Sequence, residues 1–317
     1  MTLSVVIPTT ASRHSIFKTI QSVYSAASES NFKIEVVVNN LNGDERILER
    51  LSQDTRIELR FQPQIRETAE ASAFWAAYTS DSDWIWILGD DDLATPESLT
   101  HVVNLIKLCA ADFWLLNVKL FYNRKVQEYY RIGPEPIQTC SATRLWKRCG
   151  FFSVTTTLSC FLVKRSCIDI KLFEEFHQVQ GIYSHSFALL AMLKDSQVGA
   201  TDFFCVLRNE NSPESIKVSL SRYTQMRGVE FDSLWSSGAI ALFELLSKRI
   251  NVPVSELWNY REIELFKVGP KSRLLNTNLQ ILISTSRSVM DRFMGNGVSY
   301  KSQHQTLVLD APVRVTL

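Results

Sequence analysis

The sequence predicts an α/β protein: a mainly parallel sheet flanked by helices, followed by a C-terminal helical lobe. Three observations predict it. Segments of strand and helix period alternate with short connections over residues 1–120. Polar clusters follow the first, second and fourth strand segments, where sheets of this kind gather their ligand loops. From Ser219 to Met294 the apolar spacing is helical throughout.

The elements follow in order. LSVVIP, Leu3 to Pro8, is a β-branched run stopped by its proline. His14 to Ala27 sets Ile16, Ile20, Val23 and Tyr24 at helical spacing. KIEVVVN, Lys33 to Asn39, is a second buried strand; Asp44 to Ser52 is a helix and Arg56 to Gln62 a third strand. The Ala-rich stretch from Glu67 to Ser80 is helical, and DWIWILG, Asp83 to Gly89, is the fourth strand. Thr95 to Ala110 reads as a helix with Thr95 as N-cap and Pro96 in its first turn. Asp112 to Tyr122 is the fifth strand.

Beyond it the pattern weakens. Tyr122 to Pro136 suggests a hairpin and loop, Thr143 to Phe152 a short helix, and Thr155 to Arg165 a strand. Ile182 to Asp195 is a helix and Val198 to Leu207 a strand. A junction near residue 215, in NSPES, divides a domain of residues 1–215 from a helical lobe of residues 216–317.

Lys and Arg number 34, Asp and Glu 33, for a net charge of +1. That balance argues against nucleic acid as a partner, since general binders carry a basic excess or stripe. At 45% hydrophobic residues the chain can bury a large core. Cys109, Cys140, Cys149, Cys160, Cys167 and Cys205 form no C-x-x-C pair and no zinc-like spacing. They read as reduced cysteines of a cytosolic protein. The start, MTLSVVIPTT, has no basic stretch before its apolar run, so it reads as a strand rather than a signal peptide. No window supplies about 18 uninterrupted apolar residues, and no transmembrane helix is expected.

WIWILGDDDLATP, Trp84 to Pro96, poses the functional question. Asp90, Asp91 and Asp92 stand together after an apolar strand. One carboxylate suffices to cap the following helix. Three repel one another, and burial at a sheet end raises the cost of unpaired charge. A divalent cation resolves the conflict, because Mg²⁺ and Mn²⁺ take a few protein oxygens and complete their shells with water and phosphate. Such an ion on a strand end suits a departing diphosphate. Spacing alone leaves sugar transfer and nucleotidyl transfer both open.

The order SVVIPTT, EVVVNNLNGDE and WIWILGDDDLATPESL resembles the nucleotide-sugar half of family 2 glycosyltransferases, which have the GT-A (Rossmann-like) fold. Within that family, Gly89-Asp90-Asp91-Asp92 followed by Pro96 is most similar to O-antigen type sugar transferases, including abequosyltransferase-like proteins. The resemblance covers residues 2–120 and, more loosely, 112–208. It implies metal-dependent, inverting transfer of a sugar from a nucleotide-sugar donor to a glycan or lipid-linked oligosaccharide acceptor. It also implies that Asp92 binds Mn²⁺ or Mg²⁺, that Asp91 faces the ribose or the metal, and that Asp90 assists. Pro8, Thr9 and Thr10 would line the nucleobase. Asn39 stands where a carboxylate often reads the uracil edge; its amide offers a different donor and acceptor pair, which keeps cytosine and thymine open. The helix before the fourth strand lacks the family's Arg-Asn, leaving Arg66 as the candidate for a diphosphate or base contact.

Inversion also requires a general base for the acceptor hydroxyl. The family commonly supplies a Glu-Asp pair at the start of a helix. Ser184, His185 and Ser186 stand there instead, making His185 the candidate base, with Asp169, Glu174 and Glu175 of the preceding loop as competing acids. SVTTTLSC, Ser153 to Cys160, offers hydroxyls for an acceptor pocket, and Arg208 with Asn209 could close over the donor. Trp258 to Asn276 mixes aromatic and basic residues, which suits an anionic membrane surface, core packing or a homodimer. The expected location is cytoplasmic, peripheral on the inner face of the membrane. Two rivals stand beside this reading. A nucleotidyltransferase is disfavoured because PTTASRH has no glycine. A non-catalytic scaffold that binds a nucleotide sugar is favoured by the missing acidic pair and opposed by the aspartate run.

Overall fold

The computed structural model describes residues 1–26, 32–39, 43–64, 66, 68–122, 125–128, 137–149, 158–179, 181, 184–209 and 231–258. The first half is β1 (Leu3–Thr9), α1 (Ser15–Ser25), β2 (Phe32–Val38), α2 (Glu45–Ser52), β3 (Ile57–Phe61), α3 (Ala69–Thr79), β4 (Trp84–Ile87), β5 (Leu93–Ala94), α4 (Ser98–Lys107) and β6 (Phe113–Tyr122). The second half is β7 (Lys125–Glu128), β8 (Ile137–Ser141), α5 (Ala142–Cys149), β9 (Phe161–Lys164), α6 (Ile170–Val179), α7 (Ser184–Met192), β10 (Gln197–Asn209), α8 (Phe231–Ile250) and α9 (Val254–Trp258).

One ten-stranded sheet organises them, in the order β3-β2-β1-β4-β9-β6-β10-β5, with β7 on β6 and β8 on β10. β3, β2, β1 and β4 pair in parallel, as the βαβ pattern requires. β9 enters antiparallel between β4 and β6, and β6 pairs in parallel with β10. The apolar runs read from the sequence are buried on both faces: Val5, Val6, Ile7, Val36, Val37, Ile85 and Trp86 are at or near zero exposure. This places the carboxyl ends of β1, β2 and β4 side by side.

The far end of the same strands is fixed by a buried carboxylate. Glu35 of β2 is 1% exposed. It accepts from Ser80 Oγ at 2.5 Å and from Ser4 Oγ, and pairs with Arg60 and with Lys33. One residue therefore joins β1, β2, β3 and the turn before β4. A buried charge persists only with such a full set of partners.

The structure departs from the sequence reading in four places. The helix after the aspartates starts at Ser98, with Glu97 in the left-handed conformation at φ 64°. Thr95 is not its cap; its amide donates to the Cys205 carbonyl and its hydroxyl to the Phe204 carbonyl, tying the segment to β10. The stretch holding Glu174 and Glu175 is helix α6, not a loop, because Phe173 and Phe176 bury one face against the core. Arg208 and Asn209 end β10 rather than forming a closing loop. The strand sought from Thr155 begins at Phe161, preceded by a short 3-10 turn over Leu158–Cys160.

Of the helical lobe, α8 and α9 are described. Leu242, Phe243 and Leu246 of α8 are buried, and Phe243 meets Phe187 of α7 edge-on at 5.0 Å. The junction near residue 215 and the aromatic, basic stretch beyond Trp258 lie outside the described residues. Among the described residues no helix is long and apolar enough to cross a membrane. Cys160 and Cys205 are buried, whereas Cys109 is exposed.

Gly199 of β10 lies opposite Trp114 of β6, and a Cβ there would meet the indole ring at 2.2 Å. Trp114 is fully buried and cannot retreat. Gly199→Ala is expected to destabilise the fold by about 1–3 kcal/mol, the usual cost of overpacking a core. Urea unfolding with an unchanged midpoint would refute this packing.

Candidate active site

The turn Gly89–Asp92 follows β4 and closes with Asp92 N donating to Gly89 O at 3.2 Å. Its three carboxylates turn to three different partners. Asp90 Oδ2 accepts from Thr9 Oγ1 at 2.6 Å. Asp91 Oδ2 lies 2.6 Å from Arg13 Nη1, which is also 3.7 Å from Asp90 Oδ1. Asp92 Oδ2 accepts from Ser159 Oγ at 2.5 Å, and that hydroxyl in turn accepts from Gly89 N at 2.8 Å.

Helix α1 fixes the exit from the turn. Thr19 Oγ1 donates to the Asp92 carbonyl at 2.7 Å, and Ala94 N donates to Ser22 Oγ at 2.9 Å. β5 then pairs with β10. The main chain is thus held from both sides; Asp92 as a residue is buried (6%), while the side chains of Asp90 and Asp91 are 13% and 28% exposed. Burial pushes the Asp90 carboxyl above the ordinary carboxylate range and Asp91 adds to that; Arg13 and the Thr9 hydrogen bond oppose it.

These residues fit a divalent cation. Asp91 Oδ1 and Asp92 Oδ2 lie 3.4 and 3.3 Å from where a Cβ on Gly89 would stand, so the missing side chain leaves room for two carboxylate oxygens to converge. They are hard oxygen donors, and the other oxygen of Asp91, Oδ2, already faces a positive group in Arg13. Among the described residues no three His, Cys, Asp or Glu side chains group to enclose a metal. An ion here would draw its remaining ligands from water and diphosphate.

The neighbouring strand end carries a second arrangement. Asn39 N donates to the Thr9 carbonyl at 2.7 Å. Its side chain donates from Nδ2 to the Arg66 carbonyl (2.8 Å) and accepts at Oδ1 from Arg66 N (3.0 Å). Both polar ends of the amide are therefore committed to one backbone unit, and Asn39 acts here as the brace of the Arg66 segment rather than as a base reader. Arg66 reaches Glu174 of α6 at 3.3 Å, and its Nε is buried without a hydrogen-bond partner. Pro8 lies within β1, and Thr10 Oγ1 hydrogen-bonds Ser12 at the exposed start of the loop.

His185 stands at the start of α7, as read from the sequence, but it is 1% exposed. It packs near the rings of Phe74 and Phe161. Its Nδ1 is 3.9 Å from Glu70 Oε1 in the first turn of α3, and Glu70 is 15% exposed. The solvent-facing member of this pair is the carboxylate. Glu175 is engaged elsewhere, by Arg249 of α8.

The structure therefore gathers Thr9, Asp90, Asp91 and Asp92 into one cluster, joins it through Asn39 to Arg66, and sets His185 behind Glu70. Sequence reasoning missed Arg13 and Glu70, and it counted Ser159 among the hydroxyls of an acceptor pocket, not as the partner of Asp92. Arg13 lay in a polar cluster already singled out, PTTASRH, but competed there with more familiar residue types. Ser159 is 67 residues from Asp92, and nothing local announces that pairing.

Comparison with known proteins agrees with this geometry. The family described as "Glycosyl transferase family 2" matches residues 4–169. None of the curated proteins matches the sequence. Among solved structures, S. aureus TarS 1-349 in complex with UDP-GlcNAc superposes with a TM-score of 0.59 at 12% identity, covering 92% of this chain and 81% of that one. TarS 1-349 in complex with UDP gives 0.52 at 12% identity, over 93% and 92%. At such identity the likeness is one of fold.

Ser159→Ala removes the donor to Asp92 and the acceptor for Gly89 N together. Buried partners left unsatisfied cost about 1–3 kcal/mol. The variant is expected to unfold at correspondingly lower denaturant; wild-type stability would show that this hydroxyl does not hold the turn.

Proposed function

The chain belongs to glycosyl transferase family 2, and from that premise we propose that it moves a sugar from a nucleotide-sugar donor to a glycan or lipid-linked oligosaccharide, with inversion, in surface polysaccharide synthesis of the O-antigen type. The observation that carries the donor half is the convergence of Asp91 and Asp92 over Gly89 at the carboxyl end of β4. The TarS complexes with UDP and UDP-GlcNAc support a nucleoside diphosphate as the leaving group. A lipid-linked acceptor would place the enzyme at the cytoplasmic face of the membrane.

Asp91 and Asp92 would hold Mn²⁺ or Mg²⁺. The ion, when bound, supplies positive charge against the negative charge that grows on the departing diphosphate. The remaining work falls to the chain. Ser159 and Thr19 fix Asp92 from its side chain and its carbonyl, so its carboxylate is oriented before donor arrives. Asn39 braces Arg66 beside the same strand ends, where a guanidinium can meet phosphate. The acceptor oxygen bonds to the transferred anomeric carbon as the bond from that carbon to the phosphate oxygen breaks. The hydroxyl proton goes to the Glu70–His185 pair, with Glu70 facing solvent and His185 buried beside it. The acid that α7 lacks is thus supplied from α3.

Two tests address the two halves. In a thermal-shift panel of UDP-, CDP-, GDP- and dTDP-sugars, one donor is expected to stabilise the protein only with Mn²⁺, by about 2.7 kcal/mol at a hundred times Kd. Asp91→Asn and Asp92→Asn are expected to lose that shift while keeping the wild-type circular dichroism. An equal shift in excess chelator would sink the metal reading. For the second half, Glu70→Gln and His185→Gln should lower kcat by about 10²–10⁴-fold with donor affinity unchanged. Wild-type kcat in both would move the base elsewhere, and the absence of any donor turnover by the native protein would favour the scaffold.

A further inference from the structure

The loop between β1 and α1 presents one cation to the aspartates. Ala11 adopts φ 53° and is fully buried. Its amide donates to Thr9 Oγ1 at 2.9 Å, and its carbonyl accepts from Asp44 N at 2.9 Å. The backbone leading to Arg13 is therefore set by contacts to β1 and to the start of α2. The Arg13 side chain is 35% exposed, so it covers the open side of the cluster rather than its buried side.

Its guanidinium sits 2.6 Å from Asp91 Oδ2 and 3.7 Å from Asp90 Oδ1. A divalent cation held by Asp91 Oδ1 and Asp92 Oδ2 would take the other oxygen of the same Asp91 carboxylate. Two positive groups on the two oxygens of one carboxylate stand a few ångströms apart and repel each other. Arginine is also the cation whose planar fork matches phosphate oxygens, so a diphosphate arriving above Asp91 offers it an equivalent partner.

We propose that Arg13 is an exchangeable counter-ion: it neutralises Asp91 and Asp90 before donor binds, then passes to the diphosphate and yields Asp91 to the metal. This rests on the metal-dependent donor site proposed above. One arginine thereby couples two ligands. Metal alone must displace it without return, and nucleotide alone must draw it from a carboxylate that is left uncompensated. Bound together, each removes the other's penalty. Such coupling is reciprocal, so both affinities rise by the same factor.

The test is calorimetric and needs no turnover. Mn²⁺ affinity is measured for the full chain with and without saturating UDP, CDP, GDP or dTDP, using whichever stabilises it most. Native protein is expected to bind Mn²⁺ more tightly by at least about fivefold when nucleotide is present. Arg13→Ala should bind Mn²⁺ alone more tightly than native protein, bind nucleotide alone more weakly, and lose most of the coupling. Arg13→Lys, which keeps charge without the fork, should fall between them. If native protein shows the coupling and Arg13→Ala retains it in full, the counter-ion is overturned while the metal site stands. If none of the four nucleotides binds native protein in a Mn²⁺-dependent way, both proposals fall.

Discussion

Three ionisable carboxylates in succession at the end of an apolar strand cannot be left to one another, and the surroundings of β4 are arranged to separate them. Asp90 is answered from β1 by Thr9, Asp91 from the following loop by Arg13, and Asp92 from the far half of the chain by Ser159. Each partner comes from a different piece of structure, and each piece has further ties that hold it there. Thr9 also receives the Ala11 amide, and Ser159 also receives the Gly89 amide and offers its carbonyl to Trp86 Nε1. The geometry of the turn is consequently over-determined, which is the condition for a preorganised site.

Glu35 shows what a carboxylate looks like when it serves structure alone. It is 1% exposed, surrounded by hydroxyls and two cations, and lies at the amino end of the strands, away from the ligand loops. The aspartates meet the same electrostatic demand with partners that remain reachable: Asp91 and Arg13 are both partly open to solvent. The sheet thus carries a permanent charge network at one end and an exchangeable one at the other. Charge that is locked in stabilises the fold; charge that is held loosely can be lent to a ligand.

The fold was legible in the sequence to the extent that period and apolar runs define it. The alternation from Leu3 to Tyr122 produced its strands and helices in order, since fully buried parallel strands advertise themselves as unbroken β-branched and aromatic runs. What could not be read was set by distant contacts. Thr95 looks like a cap in isolation, yet its hydroxyl is taken by β10. The stretch of α6 reads as a loop beside its acids, although Ile170, Phe173 and Phe176 stand at helical spacing. At the site, the aspartates were plain from local charge crowding, whereas their three partners required the tertiary structure. Asn39 is expected from its place after the second strand to face the nucleobase, and its amide turns to the backbone of Arg66.

β9 sits near the middle of the sheet in space but arrives late in the chain, and this bears on how the molecule comes into being. Until Phe161–Lys164 is available, β4 has β1 on one side and nothing from β9 on the other. During synthesis from the N-terminus, WIWI would therefore wait as an unpaired apolar edge while the next 70 or so residues emerge, the kind of edge that invites association between nascent chains. The same delay withholds Ser159 from Asp92. Closure of the sheet and completion of the carboxylate turn are thus a single late event, so a ribosome-bound fragment ending before residue 159 would lack both.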